Sequence, residues 1–151
     1  MKTLKNYLIL AATFSIIAIL SISQVNAQSE TMIQFLRPKQ SLMSGGTAYA
    51  LKIYHNDKLV GDLSNGVLIN YKFTSDGEQT IKLQKELMGS VNGAPKIIKL
   101  NPEKGQTYYY LLEPGHNTIG FSEIDAKKAN KLTGKSKNFE ATLDINENSI
   151  N

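Results

Sequence analysis

Residues 48–63 read AYALKIYHNDKLVGDL, and this stretch decides the fold class. Its first half, residues 48–55, places apolar or aromatic side chains at every second position, the spacing that brings them to one face of a β-strand. Asn56-Asp57 follows, a pair that accepts the positive φ angles of a two-residue turn. The second half, Lys58 to Leu63, therefore returns antiparallel to the first, and the sequence predicts a β-hairpin.

The same pattern continues on both sides of this hairpin. Short apolar runs alternate with turn residues, as in an all-β sandwich or barrel. The run from Gln106 to Leu112 is apolar on both faces, which predicts a central position in a sheet. Asp125 to Leu132 is typical of a short helix with Asp125 as its N-cap. The strand-like runs are Met32–Leu36, Ala48–His55, Lys58–Leu63, Val67–Thr74, Gln79–Glu86, Lys96–Asn101, Gln106–Leu112, Thr118–Ile124 and Phe139–Ile145.

These runs predict an all-β fold, an antiparallel β-sandwich of about eight strands with one short helix near the C-terminus. We place the sandwich domain at residues 28–145. The polar residues 146–151 are expected to form a flexible tail.

The first 27 residues differ from the rest of the chain. Lys2 and Lys5 give a positive start, and the run from Tyr7 to Ile22 carries no charge. Small or branched residues at positions 25 and 27 complete the pattern of a secretory signal, and the apolar run is shorter than the roughly 20 residues that span a bilayer. We expect a signal peptide over residues 1–27, cleaved between Ala27 and Gln28, with an uncleaved membrane anchor as the alternative.

Composition limits the cellular compartments, the covalent chemistry and the partners that are expected for this protein. The chain contains no cysteine, so disulfides, cysteine nucleophiles and a cysteine-linked lipid anchor are excluded. The formal charge of +4 falls to +2 when the two signal lysines leave, which is too small for a general attraction to nucleic acid. The sequence predicts an exported protein, periplasmic or extracellular, with no nucleic-acid partner and no stable membrane span after signal removal.

Signatures of catalysis, metal binding and nucleotide binding are missing from the sequence. His55 and His116 stand alone beside predicted turns, without the ligand spacing of a zinc site, and there is no G-x-S-x-G nucleophile motif. Gly45-Gly46 and the glycines at 89 and 93 lack the Gly-Lys-Ser/Thr ending of a phosphate-binding loop. We predict no catalytic residue, no cofactor and no metal, and we interpret both histidines as polar turn residues.

Three consecutive tyrosines are the candidate for a partner surface. In a strand, Tyr108 and Tyr110 face one way and Tyr109 faces the other. One face must turn toward the core, while the other could expose an aromatic strip for a sugar or a protein. Packing on both faces is the alternative.

Three short motifs follow one another along the chain. Arg37-Pro38 is an early Arg-Pro pair, the run from Ile53 to Gly66 contains a strand, a short turn, x-V-G-x-L and N-G, and Gly105-Gln106-Thr107-Tyr108-Tyr109 is a late Gly-x-x-Tyr-Tyr strand. In this order the motifs resemble those of a family of small bacterial envelope proteins catalogued as a domain of unknown function (number 2846). The similarity covers about Thr31 to Ile124. It implies an exported β-sandwich, and it implies no reaction, since the family offers no catalytic residue.

Three functions are compatible with these features. The leading hypothesis is a non-catalytic binding or envelope-structural domain that contacts a protein or glycan through a sheet face or an edge strand. A hydrolase of cell-wall or extracellular polymer would need two of Asp62, Asp76 and Glu78 about 5 to 9 Å apart in a cleft. A small-ligand carrier would need an apolar cavity between the sheets of at least roughly 300 Å³.

Overall fold

The computed structural model describes residues 30–41, 48–74, 77–115 and 118–150. The predicted signal peptide and its Ala27–Gln28 cleavage point lie outside these ranges. The strands are β1 Thr31–Arg37, β2 Ala50–His55, β3 Lys58–Leu63, β4 Val67–Phe73, β5 Gln79–Leu87, β6 Ser90–Val91, β7 Lys96–Leu100, β8 Thr107–Pro114, β9 Ile119–Ile124 and β10 Ala141–Asn146. Helix α1 spans Ala126–Thr133, and single 3₁₀ turns span Ser136–Asn138 and Glu147–Ser149.

The strands form two sheets that pack face to face. Sheet A has the order β10-β4-β1-β8-β9, and sheet B has the order β3-β2-β5, with β7 and the short β6 both pairing with the far side of β5. The β-sandwich with one short helix near its C-terminus is therefore confirmed. As predicted, β8 is an interior strand, between β1 and β9.

Two strand pairs differ from the antiparallel arrangement expected. β1 runs parallel to β8, with Met32 opposite Thr107, and β10 runs parallel to β4, with Leu143 opposite Ile69. Alternation along a strand determines which face is buried but not which strand lies beside it. The chain crosses from β7 in sheet B to β8 in sheet A. β8 then begins at the same end of the sheet as β1 and runs in the same direction.

Alternating side chains fill the space between the sheets. The alternating residues Ile69, Tyr71 and Phe73 of β4 point inward and are at most 1% exposed. A second apolar cluster lies on the outer face of sheet A, where Ala129 of α1 packs with Leu36, Leu68, Leu111 and Ile124. The buried members of the inter-sheet cluster are Ile33, Phe35, Leu51, Ile53, Val60, Leu63, Ile69, Tyr71, Phe73, Ile81, Leu83, Tyr110 and Leu112.

Local signals in the sequence explain the connections. Asn56 and Asp57 have φ angles of 47° and 65°, so the two-residue turn between β2 and β3 forms as predicted. The Asp125 carboxylate accepts the Lys128 N–H at 2.7 Å, which confirms the predicted helix cap. No helix in the described part of the chain is long and apolar enough to cross a membrane.

In the segment from residue 146, for which the sequence predicts a flexible tail, the structure shows a 3₁₀ turn and a contact with the core. Residues 147–149 form a 3₁₀ turn, and Ile150 packs against the inter-sheet core. Glu147 accepts the N–H of Thr74 at 3.1 Å, which ties this turn to the end of β4. In this mostly polar segment, Ile150 contributes an apolar contact with the core, and Glu147 contributes the carboxylate that binds Thr74.

Candidate functional site

The three tyrosines of β8 do not form an exposed strip. Tyr110 is 3% exposed between the sheets, where burial raises its pKa to about 12. Tyr108 packs against the same core, and its hydroxyl accepts the N–H of Glu103 at 2.9 Å. Tyr109 packs against the cluster beneath α1. The burial agrees with the packing alternative and disfavours a partner surface on these rings.

Two of the three carboxylates considered for hydrolysis, Asp62 and Glu78, lie far apart. Asp62 of β3 pairs with Lys52 of β2, which in turn pairs with Gln84 of β5, so these three residues lie side by side across sheet B. Glu78 lies six residues before Gln84, which corresponds to about 20 Å along a strand, and it is ion-paired with Lys99 at 2.8 Å. Asp76 lies outside the described residues. This separation is too large for the pair that glycoside hydrolysis requires.

His55 is a core residue and not a polar turn residue, so that prediction is wrong. It is 2% exposed, its Nδ1 lies 2.8 Å from the Tyr71 hydroxyl, and its Nε2 lies 3.0 Å from Gln79 Oε1. Gln79 Oε1 also accepts from Asn56, which assigns the proton of neutral His55 to Nε2 and makes Nδ1 the acceptor from Tyr71. Burial lowers the pKa of His55 and raises that of Tyr71. The second predicted turn histidine, His116, lies outside the described residues.

Two cations are buried at the opposite end of the sandwich. Arg37 is fully buried and donates to the Leu63 carbonyl at 2.6 Å, and burial lowers its pKa to about 10. Lys85 is 2% exposed, donates to the Gly115 carbonyl at 3.2 Å, and lies 4.3 Å from the centre of the Tyr49 ring. Lys85 also lines an open cleft of about 280 Å³. The cleft lies at the surface end of the sandwich and not in the apolar space between the sheets.

The edges of the sheets differ in how they are protected against pairing with another chain. Natural edge strands are protected by lysines, prolines or bulges. β7 carries Lys96 and Lys99. The pairing of β3 with β2 shifts in register between Ile53 and Tyr54 of β2, as at a β-bulge. β9 carries Gly120, where an added Cβ would lie 2.6 Å from the carbonyl oxygen of its cross-strand partner Glu113, so this glycine serves the pairing with β8 and not the outer edge.

β10 has none of these protective features. Its six residues ATLDIN contain no lysine, proline or glycine, and they keep an unbroken register with β4. Leu143 lies opposite the fully buried Ile69, yet it is 42% exposed at the edge of the sandwich. Within the described ranges, β10 is the end strand of sheet A.

The one charge in β10 is turned away from this edge. Asp144 accepts from the Asn70 side chain at 2.7 Å, and Asn70 accepts from Gln34 at 2.8 Å. These three residues form a polar row across β10, β4 and β1 on the outer face of sheet A. The row fixes the register of β10 and leaves its backbone edge without a charged side chain.

Two hydrogen bonds join the start of β10 to the residue before β4. Glu140 and Ala141 both donate their N–H groups to the Gly66 carbonyl, at 2.7 Å and 3.4 Å. Backbone groups alternate in direction along a strand, so every second residue of β10 turns its N–H and C=O groups toward the free edge.

Comparison with known proteins finds no match. No protein-family model matches the chain, no curated protein matches it, and no solved structure matches it.

Proposed function

We propose that this protein is an exported, non-catalytic binding domain whose working element is the edge strand β10. The observation that supports this function is the free backbone edge of β10, which lacks the lysines found on β7 and the bulge found in the pairing of β3. A free edge offers N–H and C=O groups to an added strand. Export is expected from the N-terminal pattern of residues 1–27, and membership of the envelope family is expected from the motif order of residues 31–124.

A protein strand suits this edge better than a glycan does. Sugar recognition usually places an aromatic face against the sugar ring. The rings of Tyr54 and Tyr109, both partly exposed, already have neighbours. The Lys82 ammonium lies 4.5 Å from the centre of the Tyr54 ring, and Tyr109 packs against the α1 cluster. The unpaired backbone of β10 instead matches the backbone of a second strand.

The occupant that fits best is a second copy of this chain. An antiparallel pair of β10 strands related by a two-fold axis at Leu143 places Leu143 beside its own copy, and the edge-facing backbone groups of the two strands exchange hydrogen bonds. The same register puts Ala141 opposite Ile145, and Thr142 opposite Asp144, so no like charges meet. The apolar side chains then lie on one face, and the exposed part of Leu143 becomes covered.

The test is the oligomeric state of the secreted protein over a range of concentrations, measured by sedimentation velocity. We expect a monomer–dimer equilibrium that Leu143→Lys weakens by at least tenfold, because two ammonium groups would then meet at the axis. Leu59→Lys is the matched control, since Leu59 is 43% exposed on edge strand β3 and Leu143 is 42% exposed on β10. Circular dichroism of both variants checks that the fold is kept.

Two results would overturn the proposal. One is a protein that stays monomeric up to millimolar concentration. The other is a dimer that Leu59→Lys disrupts as strongly as Leu143→Lys does. Pairing of β10 with a different exported protein would keep the edge function but replace the second copy as its occupant.

A further inference from the structure

The chain contains two Asn-Gly pairs, and the fold holds them in different ways. Asn65-Gly66 lies in the turn before β4, and Asn92-Gly93 lies in the loop that joins β6 to β7. An asparagine followed by glycine loses its side-chain amide more readily than other asparagines do, because glycine has no side chain to hinder attack by its own backbone nitrogen. The two pairs have the same local sequence chemistry, so a difference between them comes from the fold.

The first pair is held by hydrogen bonds on both of the groups that would react. The Asn65 side chain accepts the N–H of Gln40 at 2.9 Å and donates to the Gln40 carbonyl at 3.2 Å. The N–H of Gly66, which is buried, donates to the Arg37 carbonyl at 3.1 Å. Attack by the Gly66 nitrogen therefore requires a local opening that breaks these bonds.

The second pair leaves both reacting groups accessible. The N–H of Asn92 donates to the Lys85 carbonyl at 2.8 Å, and the Gly93 carbonyl accepts from the Gln84 side chain at 3.3 Å. Within the ranges that the structure describes, the Asn92 side chain and the Gly93 N–H have no hydrogen-bond partner. Gly93 is exposed, and no atom lies within 4 Å of the position that a Cβ would take there.

We propose that Asn92 is a site of spontaneous modification, at which water converts the asparagine to aspartate and isoaspartate. The Gly93 backbone nitrogen attacks Cγ of Asn92, and the new N–Cγ bond closes a succinimide ring. The bond from Cγ to Nδ2 breaks, and Nδ2 leaves as ammonia with the proton that the Gly93 nitrogen gives up. Water then opens the ring at either of its carbonyl carbons, so one water is consumed and one ammonia is released.

The product differs from the starting protein in charge and in backbone. A carboxylate appears at position 92, beside the open cleft that Lys96 also lines and where none of the described lining residues is acidic. Isoaspartate also adds a methylene group to the main chain before Gly93, which displaces the carbonyl that Gln84 binds. The secreted protein therefore changes with age into a form that is more acidic by one charge and altered in the β6–β7 loop.

The experiment compares the two pairs in folded and in unfolded protein. Purified secreted protein is incubated at 37 °C and pH 7.4, in buffer and in 6 M guanidinium chloride, and conversion is followed by peptide mass spectrometry. Trypsin cleavage after Lys85 and Lys96 gives a peptide whose single asparagine is Asn92. We expect similar rates at both pairs in denaturant. In the folded protein, Asn65 should convert at least about tenfold more slowly than in denaturant, while Asn92 should stay within about threefold.

Two variants serve as controls. Gly93→Ala adds a methyl group that meets no described atom but hinders attack by the neighbouring nitrogen, so conversion of Asn92 should slow at least about fivefold while Asn65 is unchanged. The φ angle of 80° at Gly93 strains this variant, and the comparison of folded with denatured wild type decides the question if it misfolds. Leu143→Lys should convert at the wild-type rate, so this result does not depend on pairing through β10.

Two results would overturn the proposal. One is folded wild-type protein in which Asn92 is slowed as strongly as Asn65. The other is conversion at Asn92 that yields no isoaspartate, since isoaspartate is the product that only the succinimide route gives.

Discussion

His55 is held in the neutral state by its surroundings. Its ring contacts Tyr71 and Phe73 edge-on, with centroids 5.5 Å and 4.8 Å away, and both ring nitrogens are hydrogen-bonded. Burial lowers its pKa below the ordinary value of 6.5, while the Gln79 hydrogen bond and the Glu147 charge act in the opposite direction. The Glu147 carboxylate lies 3.8 Å from Nδ1 and is the nearest negative charge in the described residues.

This environment predicts acid sensitivity. Because the folded-state pKa is below 6.5, the unfolded chain binds the proton more readily as pH falls through 6.5, and the free energy of unfolding decreases. The decrease is at most about 1.4 kcal/mol per pH unit for one proton, and it ends below the folded-state pKa. Urea unfolding of wild type and His55→Gln between pH 7.5 and 5 checks this, and the variant should lose this histidine's share of the slope.

Glu147→Gln supplies the matched control for this pH dependence. The substitution keeps the shape of the side chain and an oxygen for the Thr74 N–H, but it removes the charge that favours the histidine cation. Its stability should fall more steeply than that of wild type below pH 6.5. A His55→Gln variant with the full wild-type slope would show that other groups cause the acid sensitivity.

Three residues that sequence reasoning missed carry a common signal. Each lies two residues after an inward-facing apolar residue of the same strand and therefore faces the same way. The pairs are Ile53 and His55, Phe35 and Arg37, and Leu83 and Lys85. Alternation thus places each polar side chain between the sheets. Polarity favoured a turn or a solvent-facing position for them, so burial of these groups was not predicted. Their hydrogen-bond partners lie up to 30 residues away in sequence, and no local pattern could identify them.

At the scale of elements, the cap of α1 is the most directly testable feature. The Asp125 side chain binds the Lys128 N–H, and α1 covers the outer apolar cluster of sheet A through Ala129. Asp125→Ala should lower the free energy of unfolding by about 1 kcal/mol, within the range of 0.5–2 for lost N-caps. Asp125→Asn keeps the accepting oxygen and should cost at most a few tenths. Equal losses for both variants in urea unfolding would contradict the capping role.

Secondary-structure elements were predictable where a short stretch of sequence determines them. The β2–β3 hairpin follows from alternation and the Asn56-Asp57 turn, and β3 spans Lys58–Leu63 as predicted. The parallel pairing of β1 with β8 was not predictable, because these strands are joined through five strands of the opposite sheet and β4 of their own. The free edge of β10 could not be foreseen either, since an edge is defined by which strands lie beside it.

At the scale of the whole molecule, sheet A depends on contacts between strands that lie far apart in the sequence. β1 lies in the middle of sheet A, and its parallel partner β8 is 75 residues later, where Met32 meets Thr107. Contacts between residues so distant in sequence fold slowly. This topology is compatible with a chain that crosses a membrane unfolded and forms its sheets afterwards.

The start of β1 bears on the N-terminus of the mature protein. β1 begins at Thr31, after the predicted cleavage point, so removing residues 1–27 takes away no strand of the described fold. We expect the secreted protein to begin at Gln28, as read by mass spectrometry of its N-terminal peptide. Ala27→Leu replaces the small residue at the cleavage point and should slow processing, whereas Ser29→Ala beyond it should not. A secreted or membrane-held product that begins at Met1 would replace the cleaved signal with an uncleaved anchor.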